Sequence, residues 1–331
     1  MTDRLAKFGP IWGASGVQGF FGEGYPPHRY LKFFGLTFDG LTLTAKTTTA
    51  QSNKGNMPME KDGITPQEFL PRCVYVSPRS WLYGSALNAV ALSGPGINSL
   101  IEMGEWQKQT RPFFISIMAI GKTVQEKNLE MSTFQVYIAS LLKWWPFLQD
   151  LLGVQINYSC PNTGENMEEM LQELVGQSQR DMNMLGMLGL PLVPKISVLF
   201  PVEYAQEIGN DRYCAGLTLS NTIPWDDLPK FGIDRRKIFG SDVSPLIKRG
   251  FKQPGGYSGK ELLPHVAHYV RELRAAGFRK HINAGGGILG PSDIDVLYDS
   301  GANSFSLGSI AFLRCWRMRA TIARAYKLCA R

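Results

Sequence analysis

From about residue 113 onward the chain alternates between short apolar runs that end on small or polar residues and longer stretches with helically spaced apolar positions. That alternation constrains the fold more than any other feature. Parallel neighbours in a sheet need a crossover, most often a helix, so regular strand–helix alternation argues for a parallel sheet. The pattern predicts strands over 113–118, 153–158, 191–198, 215–219, 281–284 and 303–306. It predicts helices over about 130–149, 166–185, 262–276, 292–300 and 310–329. Upstream, residues 41–45 read Leu-Thr-Leu-Thr-Ala and end on Lys46-Thr47-Thr48-Thr49, a further strand end. An aromatic segment (Phe20, Phe21, Tyr25, Tyr30, Phe33, Phe34) is expected to form a helix against the core. Residues 51–87, with Gly55, Pro58, Gly63, Pro66, Pro71 and Pro78, read as an irregular excursion over a binding site. Polar or glycine-rich residues at nearly every strand end favour an α/β fold of one kind, a single closed (β/α)8 TIM barrel spanning 1–331. The alternative, an open doubly wound sheet, would gather them at one switch point.

Composition narrows the function. A formal charge of +7 points to an anionic small ligand or simply to solubility, and not to nucleic acid, since the basic residues are scattered and form no aromatic-interleaved stripe. The five cysteines (73, 160, 214, 315, 329) and four histidines show no metal-type spacing. Without a signal peptide they suggest a reducing, cytoplasmic setting. The longest apolar stretch, 134–152, is broken by Lys143, Pro146 and Asp150, so no stable membrane insertion is expected. The basic segment 311–331 reads as a last barrel helix with a solvated face; a membrane-surface helix is the alternative.

The candidate site begins with Asn157-Tyr158-Ser159-Cys160-Pro161-Asn162, which presents two amides, a hydroxyl and a thiol at the end of a buried strand. Asn88 before a Gly/Pro loop, and Ser220-Asn221-Thr222 after the 215–219 strand, add further polar groups. Glycine clusters at Gly255-Gly256, Gly285-Gly286-Gly287 and Gly308-Ser309 are expected to follow the last strands, where barrel loops bind phosphate through bare backbone N–H groups. No Walker-type Lys-Ser/Thr ending is present, which disfavours a nucleoside triphosphate. Ala14-Ser15-Gly16 would let backbone approach a flat or phosphorylated ligand. With Lys46 and Lys195 at strand ends, a flavin monophosphate (FMN) at the C-terminal face of the strands fits, because a cation stabilises the reduced anionic ring. Asn88, Asn157, Asn162 and Asn221 would hold a flat polar substrate, and Cys160 would act as its base or acid.

These pieces occur in one order that resembles the dihydroorotate dehydrogenase family. Residues 157–162 are similar to its Asn-x-Ser-Cys-Pro-Asn signature, 13–16 to its flavin loop, and Lys46-Thr47-Thr48-Thr49 to its Lys-Ser/Thr-Ser/Thr-Thr strand end. Asn53-Lys54-Gly55-Asn56 resembles Arg-x-Gly-Asn-Pro, and Asn88 stands where Asn-Ser-Met-Gly-Leu begins. Lys195, Asn221-Thr222, the Gly-Gly-x-Ser-Gly at 255–259, Gly286-Gly287-Ile288 and Gly308-Ser309 complete the series. The resemblance implies an FMN enzyme of pyrimidine biosynthesis that oxidises dihydroorotate to orotate. Cys160 would take the C5 proton while hydride passes from C6 to flavin N5. Cys160 and Lys46 are then the catalytic candidates. Lys46, Asn88, Asn157, Asn162, Asn221 and Thr222 would hold substrate. Ala14, Ser15, Gly16, Lys46, Thr47, Asn157, Lys195, Ser220, Gly255, Gly256, Gly286, Gly287, Gly308 and Ser309 would hold FMN. A cysteine base marks the soluble class 1 enzymes, with fumarate or an electron-transfer partner subunit as oxidant and a homodimer as the usual assembly. The sequence departs from the family at Gly13, at Val90-Ala91 in place of Met-Gly, at the additional Gly285, and in longer spans after Pro58 and Thr222. The altered 90–91 pair leaves open another dihydropyrimidine as substrate, or an FMN- or pyrimidine-binding protein without turnover.

Overall fold

The structure, a computed structural model, describes residues 4–158 and 167–330. Its strands are β1 (Ile11–Gly13), β2 (Val74–Val76), β3 (Ser85–Asn88), β4 (Phe113–Ile117), β5 (Leu152–Asn157), β6 (Leu192–Ile196), β7 (Gly216–Leu219), β8 (Ile223–Pro224), β9 (Gly256–Gly259), β10 (His281–Gly285) and β11 (Ser304–Leu307). Seven of them form a parallel sheet in the order β1-β11-β10-β7-β6-β5-β4. The sheet curls until its two edge strands share one stretch of chain, residues 42–48. On one side Gly13 N donates to Thr42 O (2.8 Å) and Thr42 N to Ile11 O (3.0 Å). On the other, Phe114 N donates to Leu43 O (2.9 Å), Ala45 N to Phe114 O (2.8 Å) and Thr48 N to Ser116 O (2.9 Å).

Both faces of the sheet are buried, as a parallel sheet requires. Outward residues such as Ile115, Val154, Ile156, Leu217, Ile282 and Phe305 join the main core under the helices. The inner face starts apolar and becomes polar toward the C-terminal strand ends. At the N-terminal end Leu5, Phe8, Trp12, Phe114 and Val193 form a separate cluster, with Phe8 stacked on Phe114 at 4.1 Å. Gly153 makes room for it, since a Cβ there would lie 2.5 Å from the Phe114 ring. Further along, pairing aligns Asn157, Lys195, Thr218, Asn283 and Ser304 in one row across five strands. Polar interior positions at one end of a curled sheet place its ligand-accepting surface there.

Helix Val124–Trp144 starts earlier than the pattern predicted because Thr123 and Glu126 form a reciprocal capping box, and it stops short of Pro146. Helices Met167–Gly186, Leu262–Ala275 and Pro291–Asp299 lie close to their expected positions. Helix Val202–Asn210 was not foreseen. Three expectations need correction. The aromatic segment is not one helix: Gly22, Gly24 and Gly35 take positive φ, only His28–Leu31 and Lys32–Phe34 are helical, and Phe33 and Phe34 are exposed. The last helix is interrupted at Arg314, giving Ile310–Leu313, the 3-10 turn Cys315–Arg317, and Met318–Cys329, where the turn packs against Gly35. Residues 51–87 are not wholly irregular. They contain β2, helix Ser80–Tyr83 and most of β3, and these strands pair antiparallel with β9 and β8 from the 223–259 segment in the order β2-β3-β9-β8. No helix among the described residues is long and apolar enough to cross a membrane.

Candidate functional site

A cavity of about 1310 Å³ lies between the C-terminal ends of the parallel strands and the small antiparallel sheet. Every candidate residue within the described chain lines it. From the β1 turn come Ala14, Ser15 and Gly16; from the 42–48 segment, Lys46 and Thr47; from β5, Asn157; from β6, Lys195; and from the end of β7, Ser220, Asn221 and Thr222. Gly286 and Gly287 follow β10, Gly308 and Ser309 follow β11, and Asn88, Gly255 and Gly256 come from the roof sheet. Ser159, Cys160, Pro161 and Asn162 lie outside the described residues.

Hydrogen bonds fix this lining. Ser15 Oγ donates to Ala45 O (3.0 Å) and shares a bond with Thr47 Oγ1 (2.8 Å), which meets Ser116 Oγ at 2.9 Å. The β1 turn and the 42–48 segment are thereby tied to β4. Asn221 Nδ2 donates to Asn157 Oδ1 and to Tyr158 O, both at 2.9 Å, joining the ends of β5 and β7. Ser220 Oγ accepts from Val198 N (3.2 Å). Behind β5, Tyr158 Oη donates to Asp181 Oδ2 (3.0 Å), and Gln177 Nε2 to Asp181 Oδ1 (2.7 Å). Burial raises the Asp181 carboxyl to about 6.

Two lysines dominate the electrostatics. Lys46 is only 6% exposed; its ammonium donates to Ser93 O and stands 5.0 Å from the Phe20 ring centre. Burial lowers it to about 8, with Cys73 and Glu23 acting in the other direction. Lys195 keeps some accessible surface, and burial likewise lowers it to about 8. No carboxylate among the described residues forms an ion pair with either. Gln155 Nε2 reaches Thr218 Oγ1 (3.3 Å), while its buried Oε1 has no partner. Two desolvated cations and an unsatisfied acceptor in one cavity suit an anionic ligand that also carries hydrogen-bond donors.

The glycines divide into two groups. Gly286 (φ 115°) and Gly287 (φ 82°) follow a parallel strand, and their bare backbone meets the cavity. Gly255 and Gly256 instead belong to the roof, which corrects the expectation that all three clusters follow the last parallel strands. They are small because a Cβ on Gly256 would lie 2.1 Å from Thr222 Oγ1, and one on Gly255 2.8 Å from Asn88 O. Asn88 too reaches the cavity from antiparallel β3, paired with Val74 and Gly256. Sequence reading missed Tyr25, Gln155 and Thr218, all on the cavity wall. Gln155 stands two residues before Asn157, and Thr218 two before Ser220, so strand period alone signals both. Tyr25 carries no such signal. The arginines at 72 and 249, also on the wall, bond each other's carbonyl oxygens (3.3 and 2.9 Å).

No protein-family model matches the sequence, and no curated protein is significantly similar to it. Among solved structures the fold is similar to that of DHODH from Eimeria tenella in complex with ferulenol. The TM-score is 0.60 over 96% of this chain and 81% of that one, at 14% identity. The likeness is one of fold.

Proposed function

We propose that this chain is an FMN-dependent oxidoreductase of the dihydroorotate dehydrogenase type, converting dihydroorotate to orotate. The observation that carries the reading is convergence: the candidate site residues spread from Ala14 to Ser309, in the family's order, line a single cavity wherever they are described, while the Asn53–Asn56 piece braces one of its wall loops from behind. The similar fold of DHODH from Eimeria tenella is consistent with it. The proposed architecture is one closed (β/α)8 barrel over all 331 residues, with 42–48 as its second stave and the bridges on both sides of that segment as support.

The residues present fit FMN. Gly286-Gly287 and Gly308-Ser309 offer backbone to its phosphate, and Ala14, Ser15, Gly16, Thr47 and Ser220 line the cavity beside them. FMN, when bound, supplies a two-electron acceptor. Lys46 and Lys195 stabilise negative charge in the cavity, because a desolvated ammonium acts through a low-dielectric surround. Asn88, Asn157, Asn162, Asn221 and Thr222 orient the planar pyrimidine, and Lys46 is also within the lining that would meet its carboxylate. Cys160 removes the C5 proton, as in the class 1 enzymes. The oxidant that closes the cycle, the homodimer and a cytoplasmic location belong to the same proposal. A second reading, another dihydropyrimidine as substrate, is favoured by one observation: the Val90-Ala91 departure falls in a cavity-lining loop of unusual backbone conformation.

The deciding experiment mixes the FMN-loaded protein with dihydroorotate without oxygen and follows flavin absorbance. Rapid bleaching that disappears in Cys160→Ala is expected. A protein that stays yellow with dihydroorotate and bleaches with dihydrouracil would move the assignment to the second reading. A protein that cannot be loaded with FMN would end both.

A further inference from the structure

The loop after β3 contains the only described residues other than glycine with positive φ, Ala91 at 54° and Leu92 at 59°. Both line the cavity. A side chain disfavours this left-handed region, so something must hold the loop there. The holder is the segment 53–57. Asn53 and Gly94 exchange backbone hydrogen bonds, 2.9 Å in each direction. Asn53 Nδ2 donates to Ala91 O (2.8 Å) and Leu92 O (3.3 Å). Asn56 donates from its backbone N to Val90 O (2.9 Å) and from Nδ2 to Ala89 O (2.7 Å). Met57 N donates to Ser93 Oγ (2.9 Å). Gly55 lets the two segments touch, since a Cβ there would lie 2.2 Å from Ser93 Oγ and 2.7 Å from Ala91 O.

Four successive carbonyls, from Ala89 to Leu92, are thus turned toward Asn53 and Asn56. In a trans peptide the N–H points away from its C=O. The N–H groups of Val90, Ala91 and Leu92, three residues of the cavity wall, therefore turn away from the clamp, and none of them donates a hydrogen bond among the described residues. We infer that Asn53 and Asn56 are positioning residues whose side-chain amides hold the 89–93 loop left-handed, so that its N–H groups form the edge that receives a substrate carboxylate. The inference rests on the reading of this cavity as a site for a carboxylated dihydropyrimidine.

The test is a double-mutant cycle on the FMN-loaded protein: wild type, Asn53→Ala, Ala91→Gly and the pair. Thermal midpoint without substrate and orotate affinity are measured on each. Ala91→Gly should raise the midpoint, because glycine adopts positive φ without penalty. Asn53→Ala should lower it and weaken orotate about tenfold, the effect of one hydrogen bond lost from a positioned loop. In the pair, Ala91→Gly should recover most of that affinity, since the loop no longer depends on the amide. Asn53→Asp, equal in shape but with no N–H to give the carbonyls, should behave as Asn53→Ala, and KM should move more than kcat. Strictly additive effects in both measurements, or a lowered midpoint in Ala91→Gly, would overturn the clamp. A wild type that binds no orotate sinks the substrate reading separately, and the midpoints of the four proteins then decide the clamp by themselves.

Discussion

Lys195 shows how far a single side chain can be shifted from its comfortable state. Its ammonium is held in a desolvated row beside Asn157 and Thr218, and burial brings it to about 8. Between that value and the ordinary lysine range the unfolded chain keeps a proton that the folded chain has lost, so stability climbs with pH through this window. Below about 8 the charged form is a fixed destabilising load on the ligand-free protein. Lys195→Met should therefore melt above wild type at pH 7 when no ligand is bound, with the difference shrinking toward pH 10.5; calorimetry across that range checks it. If FMN is the cofactor, as proposed, the same change should loosen it, the usual exchange of stability for function at a charged site. Thr44 offers a simpler case. It is fully buried and its hydroxyl has no partner, so Thr44→Val should raise the melting temperature, by the equivalent of about 1 kcal/mol for an unmet hydroxyl replaced with a methyl.

Among elements, the end of β5 depends on helix Met167–Gly186 through Tyr158 and Asp181, which are both buried. Tyr158→Phe leaves Asp181 with one donor fewer in an apolar surround. It should cost about 1–3 kcal/mol, read from chemical denaturation. Sequence reading located six of the seven parallel strands because each is a compact apolar run between glycine or polar stops; it missed β1, which is only three residues long. Lys46, Asn157 and Lys195 were visible for the same reason: strand period and strand end specify where their side chains go. Asn88, Gly255 and Gly256 were identified as cavity residues but attributed to the wrong kind of element. Their strands are four residues each, and only pairing between segments some 170 residues apart gives them a direction. The clamp by Asn53 and Asn56 was out of reach because it depends on backbone dihedrals, which composition does not encode. The split of the last helix at Arg314 was hidden likewise, since it is a change of backbone dihedrals at one residue, φ −149° and ψ 45°, that no proline or glycine marks.

At the level of the whole molecule, the positive charge should draw anionic substrates toward the cavity mouth. If dihydroorotate is the substrate, kcat/KM should fall as ionic strength rises while kcat holds steady; steady-state kinetics in graded salt would show whether it does. The wall of the cavity is made by one set of strands and its roof by another. The roof is assembled from two excursions, one before β4 and one after β7, that complete each other's hydrogen bonding. Neither excursion is therefore a free module. Grafting one of them onto a related scaffold without its counterpart would leave β3 or β9 with an open edge, and such edges recruit strands from other molecules. Changes of substrate range that enlarge or shorten this roof have to arrive in both excursions together, or be limited to side chains that point downward from it.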